Sequence, residues 1–243
     1  NMHYLERFLQ AKHTYAQSAL IQRQMRHRLV EILSRTHRRE FTHIFEFGAG
    51  NGELMRLLTP ILHYESYICN DINDYGVDLR DLPNVEYHIF DMAHLRNSPL
   101  WQCKFDLILS NASLQWLDFE KSISEIHSIL APNGLCLLST FGQKNCYEVR
   151  AITHQGLPYM ELGTMRDILT QYFEILYFHD ELLSLQFPSA LDVFRHLKQS
   201  GVNALQRGSY ISKKMLTEYE LQFHNTLTYH PIYLLLSCRT KRI

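Results

Sequence analysis

The sequence predicts an α/β fold in which a doubly wound, mostly parallel sheet carries helices on both faces. Short apolar runs rich in strand-forming residues alternate with amphipathic segments from residue 42 to residue 140, and this alternation is typical of parallel sheets. The chain has 243 residues, of which 46% are hydrophobic, and this is enough to bury one substantial core. We therefore expect a single domain over residues 1–243.

The elements follow in order along the chain. Residues 14–35 predict an amphipathic helix, because apolar residues recur along one side of it. This helix belongs to an expected N-terminal helical cap at residues 1–40. In the core at residues 41–150 we predict strands at 42–47, 66–70, 85–90, 105–110 and 134–140, and helices at 53–62, 74–80 and 119–130.

The pattern changes after residue 140. Segments near 143–154 and 164–172 have a helical pattern, 173–187 predicts a long strand, 189–228 returns to helix, and 229–238 predicts the last strand. The two late strands complete a seven-stranded sheet. The helices between them form an expected lid insertion at residues 188–228, over the carboxyl ends of the strands, where open α/β sheets bind ligands.

A glycine-rich segment follows the first predicted strand. Glu46, Gly48, Gly50 and Gly52 lie between an apolar run and the start of a helix. Glycine allows positive φ and a close approach of a ligand to the backbone, while a helix start presents unpaired N–H groups. The spacing differs from the G-x-G-x-x-G fingerprint of dinucleotide-binding proteins. A turn with a purely structural role is the alternative.

A carboxylate follows the second predicted strand. Asp71 lies 19 residues beyond Gly52, and in this position it can accept hydrogen bonds from both hydroxyls of a ribose. The alternative for Asp71 is a solvent-facing turn. Together with the glycine segment, it predicts a site for a nucleoside-containing cofactor.

The pattern Glu-x-Gly-x-Gly-x-Gly resembles motif I of the class I S-adenosylmethionine-dependent methyltransferases, in which the opening acid is more often Asp. The resemblance implies a Rossmann-like fold with S-adenosylmethionine as the cofactor. It also implies that Asp91 binds the adenine amino group and that Met92 packs on the adenine ring. Ala112 is then expected close to the sulfonium, with Asn111 beside it as a further cofactor-binding residue.

Several segments resemble one subgroup of that family, the malonyl-acyl-carrier-protein O-methyltransferases of biotin biosynthesis. They are S-N-x-x-x-Q-W at 110–116, L-A-P-N-G at 130–134, S-T-F-G at 139–142, the lid segment at 190–204 and T-Y-H at 228–230. The resemblance implies methyl transfer to the free carboxylate of a malonyl thioester. The product would be the methyl ester that primes pimeloyl synthesis.

Four residues are candidates to orient the malonyl group. Arg195 can hold a carboxylate through its guanidinium, while Tyr15, Tyr229 and His230 can hydrogen-bond a carbonyl. Each has a structural alternative: helix packing for Tyr15, a solvated charge for Arg195, and a capped strand start for Tyr229 and His230.

The chain has a net charge of −1, but residues 193–217 contain five basic residues and no acidic one. This segment predicts either a solvated helical face or a docking surface. With the resemblance, the implied partner is an acidic acyl carrier protein bearing a malonyl group, or malonyl-CoA. We expect no nucleic-acid partner, because the near-zero net charge comes without a basic, aromatic-rich groove.

Other sequence features indicate that a membrane helix, a signal peptide and a metal site are not expected. The apolar runs are far shorter than the roughly 20 residues of a membrane helix, and charged residues interrupt the N-terminal segment, which is unlike a signal peptide. The histidines and cysteines show no metal-ligand spacing, so no metal site is expected. Five widely spaced cysteines fit a cytoplasmic protein.

Two alternatives stay open at this point. The protein could be a methyltransferase that acts on another small carboxylic acid or on a protein side chain. It could also be a non-catalytic, S-adenosylmethionine-binding assembly or regulatory protein, since binding motifs do not establish turnover.

Overall fold

The computed structural model describes residues 20–200, 205 and 209–238. Tyr15 and the start of the predicted first helix lie outside these residues. The chain divides into two compact units. Within the described residues, the larger unit contains 25–140, 161–179 and 232–238, and the smaller contains 20–24, 141–160 and 180–231.

The larger unit is built on a seven-stranded sheet in the order β3-β2-β1-β4-β5-β9-β6. Its strands are β1 (Glu40–Phe47), β2 (His63–Asp71), β3 (Val85–Ile89), β4 (Phe105–Asn111), β5 (Leu130–Phe141), β6 (Phe173–Asp180) and β9 (Pro231–Cys238). The pairs β1–β2, β2–β3, β1–β4 and β4–β5 are parallel. The predicted fold class is confirmed.

The direction in which successive strands are added to the sheet reverses between β1 and β4. Strands β2 and β3 lie on one side of β1, whereas β4 and β5 lie on the other. A crevice forms at the carboxyl ends of the strands where such a reversal occurs, and open α/β sheets bind ligands there. The loops after β1 and β4 therefore define the position of a candidate site.

Helices of the larger unit are α1 (residues 20–35, with its first residues in the smaller unit), α2 (Glu53–Leu58), α3 (Phe119–Ile129) and α5 (Leu162–Tyr172). Short 3₁₀ helices span Met92–Asn97, Pro99–Gln102 and Leu114–Trp116. Asp118 caps the start of α3, and its carboxylate accepts a hydrogen bond from the Lys121 N–H at 2.9 Å. Such a cap stabilises the helix, because the first N–H groups of a helix lack partners within it.

The smaller unit contains α4 (Tyr147–Thr153), β7 (Leu183–Gln186), α6 (Ala190–Ser200), α7 (Lys213–Phe223) and β8 (Thr226–Tyr229). Strands β7 and β8 form an antiparallel pair, and Ser212 caps α7 by accepting from the Met215 N–H at 3.1 Å. Helices α6 and α7 lie within the predicted lid at 188–228; the division of the chain into cap, core and lid stays a prediction.

The prediction of a helix at 74–80 is wrong, because residues 72–73 form a bend and residues 74–79 have no regular secondary structure. The carboxylates of Asp74 and Asp78 accept hydrogen bonds from the backbone N–H groups of Gly76 and Arg80, at 2.8 and 3.1 Å. Aspartate side chains that bind nearby N–H groups in this way compete with helix formation, and Gly76 adopts a positive φ of 59°.

Four other predicted elements differ from the observed ones in bounds or in number. The long strand at 173–187 is two strands, β6 and β7, which belong to different sheets. The last strand begins at Pro231, while Tyr229 ends β8 of the second sheet. The helical segment at 189–228 contains two helices and most of β8, and the helix predicted at 53–62 ends at Leu58.

Candidate cofactor and substrate site

The loop between β1 and α2 turns on glycines in the left-handed region. Gly48 has a φ of 63°, and a Cβ atom there would lie 1.9 Å from the Ser113 hydroxyl oxygen. Gly50 has a φ of 54°, but a Cβ atom there would meet no atom within 4 Å. Position 48 therefore needs glycine for packing, whereas position 50 keeps open space beside the backbone.

Neighbouring strands hold this loop in place. The Ala49 N–H donates to the Asn70 carbonyl at 2.8 Å, and the Gly50 N–H donates to the Asp71 carboxylate at 3.0 Å. The Tyr87 hydroxyl, on β3, donates to the Gly50 carbonyl at 2.6 Å. Hydrogen bonds to residues of β2 and β3 therefore hold the loop in place without a ligand.

Glu46 lies on β1 directly before the loop and is 1% exposed. Its carboxyl accepts from the Tyr67 hydroxyl at 3.3 Å and from the Cys69 thiol at 3.9 Å, so its hydrogen bonds are long. Burial raises the pKa of Glu46 from 4.5 to about 8, and these two bonds and the more distant Arg26 charge only partly oppose the rise. The cofactor-free protein therefore keeps this group largely neutral at pH 7.

Asp71 is the last residue of β2, and Asp91 follows β3 at the same edge of the sheet. Besides the Gly50 N–H, Asp71 accepts from the Asn73 N–H at 3.1 Å, and Asp91 accepts from the Ala93 N–H at 2.9 Å. A carboxylate offers about four acceptor positions. Both groups therefore retain capacity for hydroxyl or amino donors of a ligand, and the Asp91 side chain is 41% exposed.

The segment after β4 is held by a serine on the neighbouring strand. The Ser139 hydroxyl donates to the Asn111 side-chain oxygen at 2.6 Å and accepts from the Ala112 N–H at 3.0 Å. Ala112 has a φ of 53°, unusual for a residue with a Cβ atom. The Gln115 amide donates to the Ala112 carbonyl at 2.6 Å, so Ala112 is restrained from both sides.

These residues fit S-adenosylmethionine in shape and chemistry. The space beside Gly50 admits a ligand close to the backbone, and Asp71 and Asp91 can accept from ribose hydroxyls and an adenine amino group. Met92 is 8% exposed next to Asp91 and offers an apolar side chain. The described residues contain no cluster of His, Cys, Asp or Glu that could hold a metal ion.

The substrate candidates that the structure describes lie in the smaller unit. Arg195 forms an ion pair with Asp192, in which Arg195 Nη1 lies 3.3 Å from the Asp192 carboxylate oxygen Oδ1. The Arg195 side chain is 40% exposed. Tyr229 is fully buried, with its hydroxyl 2.6 Å from the His196 ring nitrogen Nε2. His230 is 2% exposed; its Nε2 lies 2.8 Å from the Asp180 carboxylate, and its Nδ1 accepts from the Lys144 N–H at 3.2 Å.

Sequence reasoning missed two buried residues that hold the T-Y-H segment. Asn145 accepts from the His230 N–H at 3.0 Å, and Glu148 accepts from the Thr228 N–H at 3.2 Å and from its hydroxyl. Burial raises the pKa of Glu148. Glu148 is an acidic residue in the first turn of α4, which is common, and Asn145 precedes that helix. Neither position stands out in the sequence.

Comparison with known proteins identifies the chain. Residues 21–212 match the family model of a methyltransferase domain. The fold matches that of the N-methyltransferase NodS from Bradyrhizobium japonicum, solved with S-adenosyl-L-homocysteine, with a TM-score of 0.53 at 15% identity over 90% of this chain and 87% of that one. The protein is therefore a class I S-adenosylmethionine-dependent methyltransferase.

Two curated relatives narrow the class. Malonyl-[acyl-carrier protein] O-methyltransferase from Calditerrivibrio nitroreducens is 31% identical over 92% of this chain and 91% of that protein. The same enzyme from Bacteroides helcogenes is 32% identical over 95% and 96% of the two chains. The chain belongs to the malonyl-[acyl-carrier protein] O-methyltransferase family. The predicted class, family and cofactor are confirmed.

Proposed function

We propose that this protein methylates the free carboxylate of a malonyl group carried as a thioester on an acidic acyl carrier protein. One observation carries the proposal: identity of about 31% to malonyl-[acyl-carrier protein] O-methyltransferases extends over nearly the whole chain. The product, a malonyl methyl ester, would serve biotin biosynthesis as the resemblance implies. The residues proposed to hold the cofactor are Glu46, Gly48, Gly50, Gly52, Asp71, Asp91, Met92, Asn111 and Ala112.

The reaction makes modest demands on acid–base chemistry. When bound, S-adenosylmethionine supplies an electrophilic methyl group on a sulfonium. A malonyl carboxylate is already ionised near pH 7, so no general base has to remove a proton. The protein's contribution is to align the carboxylate oxygen with the methyl group and to exclude water.

Four residues are proposed to orient the malonyl group: Tyr15, Arg195, Tyr229 and His230. Among the described three, Arg195 has the most accessible side chain, and only some of its five N–H donors are needed for Asp192. Tyr229 and His230 are buried and hydrogen-bonded, which supports a role in holding the segment around them. A very strong cationic grip would be counterproductive, because the carboxylate loses its charge during transfer.

Basic residues of the lid support an acidic partner. Lys198 is exposed on α6, and Lys213 and Lys214 are exposed at the start of α7. Arg207 of the same predicted surface lies outside the described residues. Lys214 also lies 3.8 Å from the Glu218 carboxylate. Exposed positive charge accelerates association with a negatively charged protein, so these residues are proposed to guide the carrier protein.

Transfer of a labelled methyl group from the cofactor to malonyl carrier protein tests the proposal, with succinyl and acetyl carrier proteins as comparison substrates. We expect methylation of the malonyl carrier only. Labelling of the succinyl carrier at an equal rate would favour a broader carboxylic acid methyltransferase. Cofactor binding without transfer to any carrier would contradict the proposed activity.

Charge reversal tests the docking role. Changing Lys198, Arg207, Lys213 and Lys214 to Glu should lower kcat/KM for the carrier-bound substrate more than for malonyl-CoA. The matched control reverses four exposed basic residues of the larger unit, Arg35, Arg80, Lys104 and Arg166, and should leave the ratio of the two values unchanged. Equal losses of kcat/KM for both substrates would show that these lid residues do not take part in carrier recognition.

A further inference from the structure

A polar cleft of about 460 Å³ opens within the smaller unit. It is lined by residues 143, 150 and 154–159, which come from the end of α4 and the segments on either side of it. The volume is on the order of fifteen water molecules by their share of the liquid. The cleft is therefore large enough for a substantial part of a flexible organic ligand.

A fixed arginine forms one wall of this cleft. The Arg150 guanidinium donates to the backbone carbonyls of Gln143 and Asn145, and its central carbon lies 5.3 Å from the centre of the Tyr159 ring. A Cβ atom at Gly156 would lie 2.6 Å from Arg150 Cγ, so glycine lets the chain pass over the arginine stem. The cation is thus positioned before a ligand arrives, and two carbonyls need only two of its five N–H donors.

The rest of the lining suits an amide-containing anion. His154, which directly follows α4 and has a φ of 55°, is exposed at the rim. The side chains of Gln143 and Gln155 provide amide donors and acceptors, and the Gln155 oxygen already accepts from the Ser209 hydroxyl at 2.8 Å. One end of the cleft can therefore hold a negative group, while its sides can pair with amides.

The cleft wall is joined to the segment proposed to orient the acyl group. The Asn145 amide nitrogen donates to the Tyr159 hydroxyl at 3.0 Å, and its side-chain oxygen accepts from the His230 N–H at 3.0 Å. One buried side chain thus connects the cleft to the T-Y-H segment, so a ligand in the cleft would lie beside that segment.

We propose that this cleft binds the 4′-phosphopantetheine arm that carries the malonyl thioester. The arm has a phosphate at one end and two amides along its length. Arg150 and His154 bind the phosphate, and Gln143 and Gln155 pair with the amides. This assignment rests on the proposed function, because the arm is part of that reaction's thioester substrate. The cleft would give this substrate a second point of attachment to the protein.

Substrates that differ only in the arm test the assignment. Malonyl-phosphopantetheine carries the full arm, malonyl-pantetheine lacks the phosphate, and malonyl-N-acetylcysteamine lacks most of the arm. Arg150→Gln and His154→Ala should each lower kcat/KM for the first substrate about tenfold, because each removes a charge-assisted contact, and should change the other two little. Arg35→Gln, a substitution of an exposed arginine in α1, should leave all three unchanged.

A binding measurement separates this proposal from the activity. Calorimetric titration with free 4′-phosphopantetheine should show binding to the wild-type protein and weaker binding to both variants. Absence of binding would overturn the cleft assignment even if malonyl carrier protein is methylated, and so would equal losses of kcat/KM on all three substrates. Failure of the proposed function would look different, because the wild-type protein would then not methylate malonyl carrier protein either.

Discussion

Replacing Glu46 by glutamine should remove a large part of the pH dependence of folding stability. Glu46 is buried directly before the glycine loop, and its pKa rises from 4.5 to about 8 on folding in the cofactor-free protein. The folded state therefore binds a proton that the unfolded state releases. Its contribution to stability is fully present below about pH 4.5 and is lost as the pH rises through about 8. Glutamine has the same shape but does not titrate.

The magnitude follows from the size of the shift. Each pH unit between the two pKa values changes the free energy of unfolding by about 1.4 kcal/mol. Between pH 5 and pH 8 the wild-type protein should thus lose about 3–4 kcal/mol through this group, because the folded protein has itself lost half of these protons at pH 8. Other titrating groups act equally in the wild type and in Glu46→Gln, so the difference between the two curves isolates Glu46.

Urea unfolding of the cofactor-free protein at several values from pH 5 to pH 8.5 provides the measurement. The stability of Glu46→Gln relative to wild type should increase steadily over this interval. Glu174→Gln, at an exposed position of β6, should follow the wild-type curve throughout. If the Glu46→Gln curve also runs parallel to the wild type, the carboxyl ionises normally and the reasoning from burial is wrong.

Three further predictions concern the loop and the cysteines. Gly48→Ala should unfold at a lower Tm than Gly50→Ala, because only a Cβ atom at position 48 would clash with another side chain. Both variants should bind S-adenosyl-L-homocysteine more weakly than the wild type in calorimetric titrations. Ser139→Ala should cost about 1–3 kcal/mol in urea unfolding and weaken that ligand severalfold, since Ala112 loses a restraint; normal affinity would contradict the positioning role. Burial raises the pKa of three thiols, so iodoacetamide should label them only after unfolding: Cys69, Cys136 and Cys146.

The sequence predicted the cofactor loop because the relevant chemistry is local. Gly48, Gly50 and Gly52 are adjacent to an apolar strand and a helix start, and all three adopt positive φ. Tyr87 and Ser139 were missed because their contacts depend on strand register. Ser139 lies opposite Asn111 in the β4–β5 pair, and no spacing within one segment reveals that alignment.

Element bounds failed where tertiary contacts decide between similar local patterns. The alternation from residue 173 to residue 187 favours one strand, yet the chain leaves the large sheet after Asp180 and pairs with β8 from Leu183. The Glu181 N–H donates to the Pro231 carbonyl at 3.1 Å at this break. The partner is 50 residues away in the sequence, so periodicity could not locate it.

The position of β9 between β5 and β6 has a consequence for folding during synthesis. Strand β6 is translated before β9, but within the described part of the chain β9 is the strand that pairs with it in the sheet. Until Pro231–Cys238 leaves the ribosome, β6 has no sheet partner and one edge of β5 stays uncovered, and an uncovered edge is prone to pairing with other chains. Completion of the sheet is therefore a late, non-local event, and chaperone protection of the nascent chain would be needed most between the synthesis of β5 and that of β9.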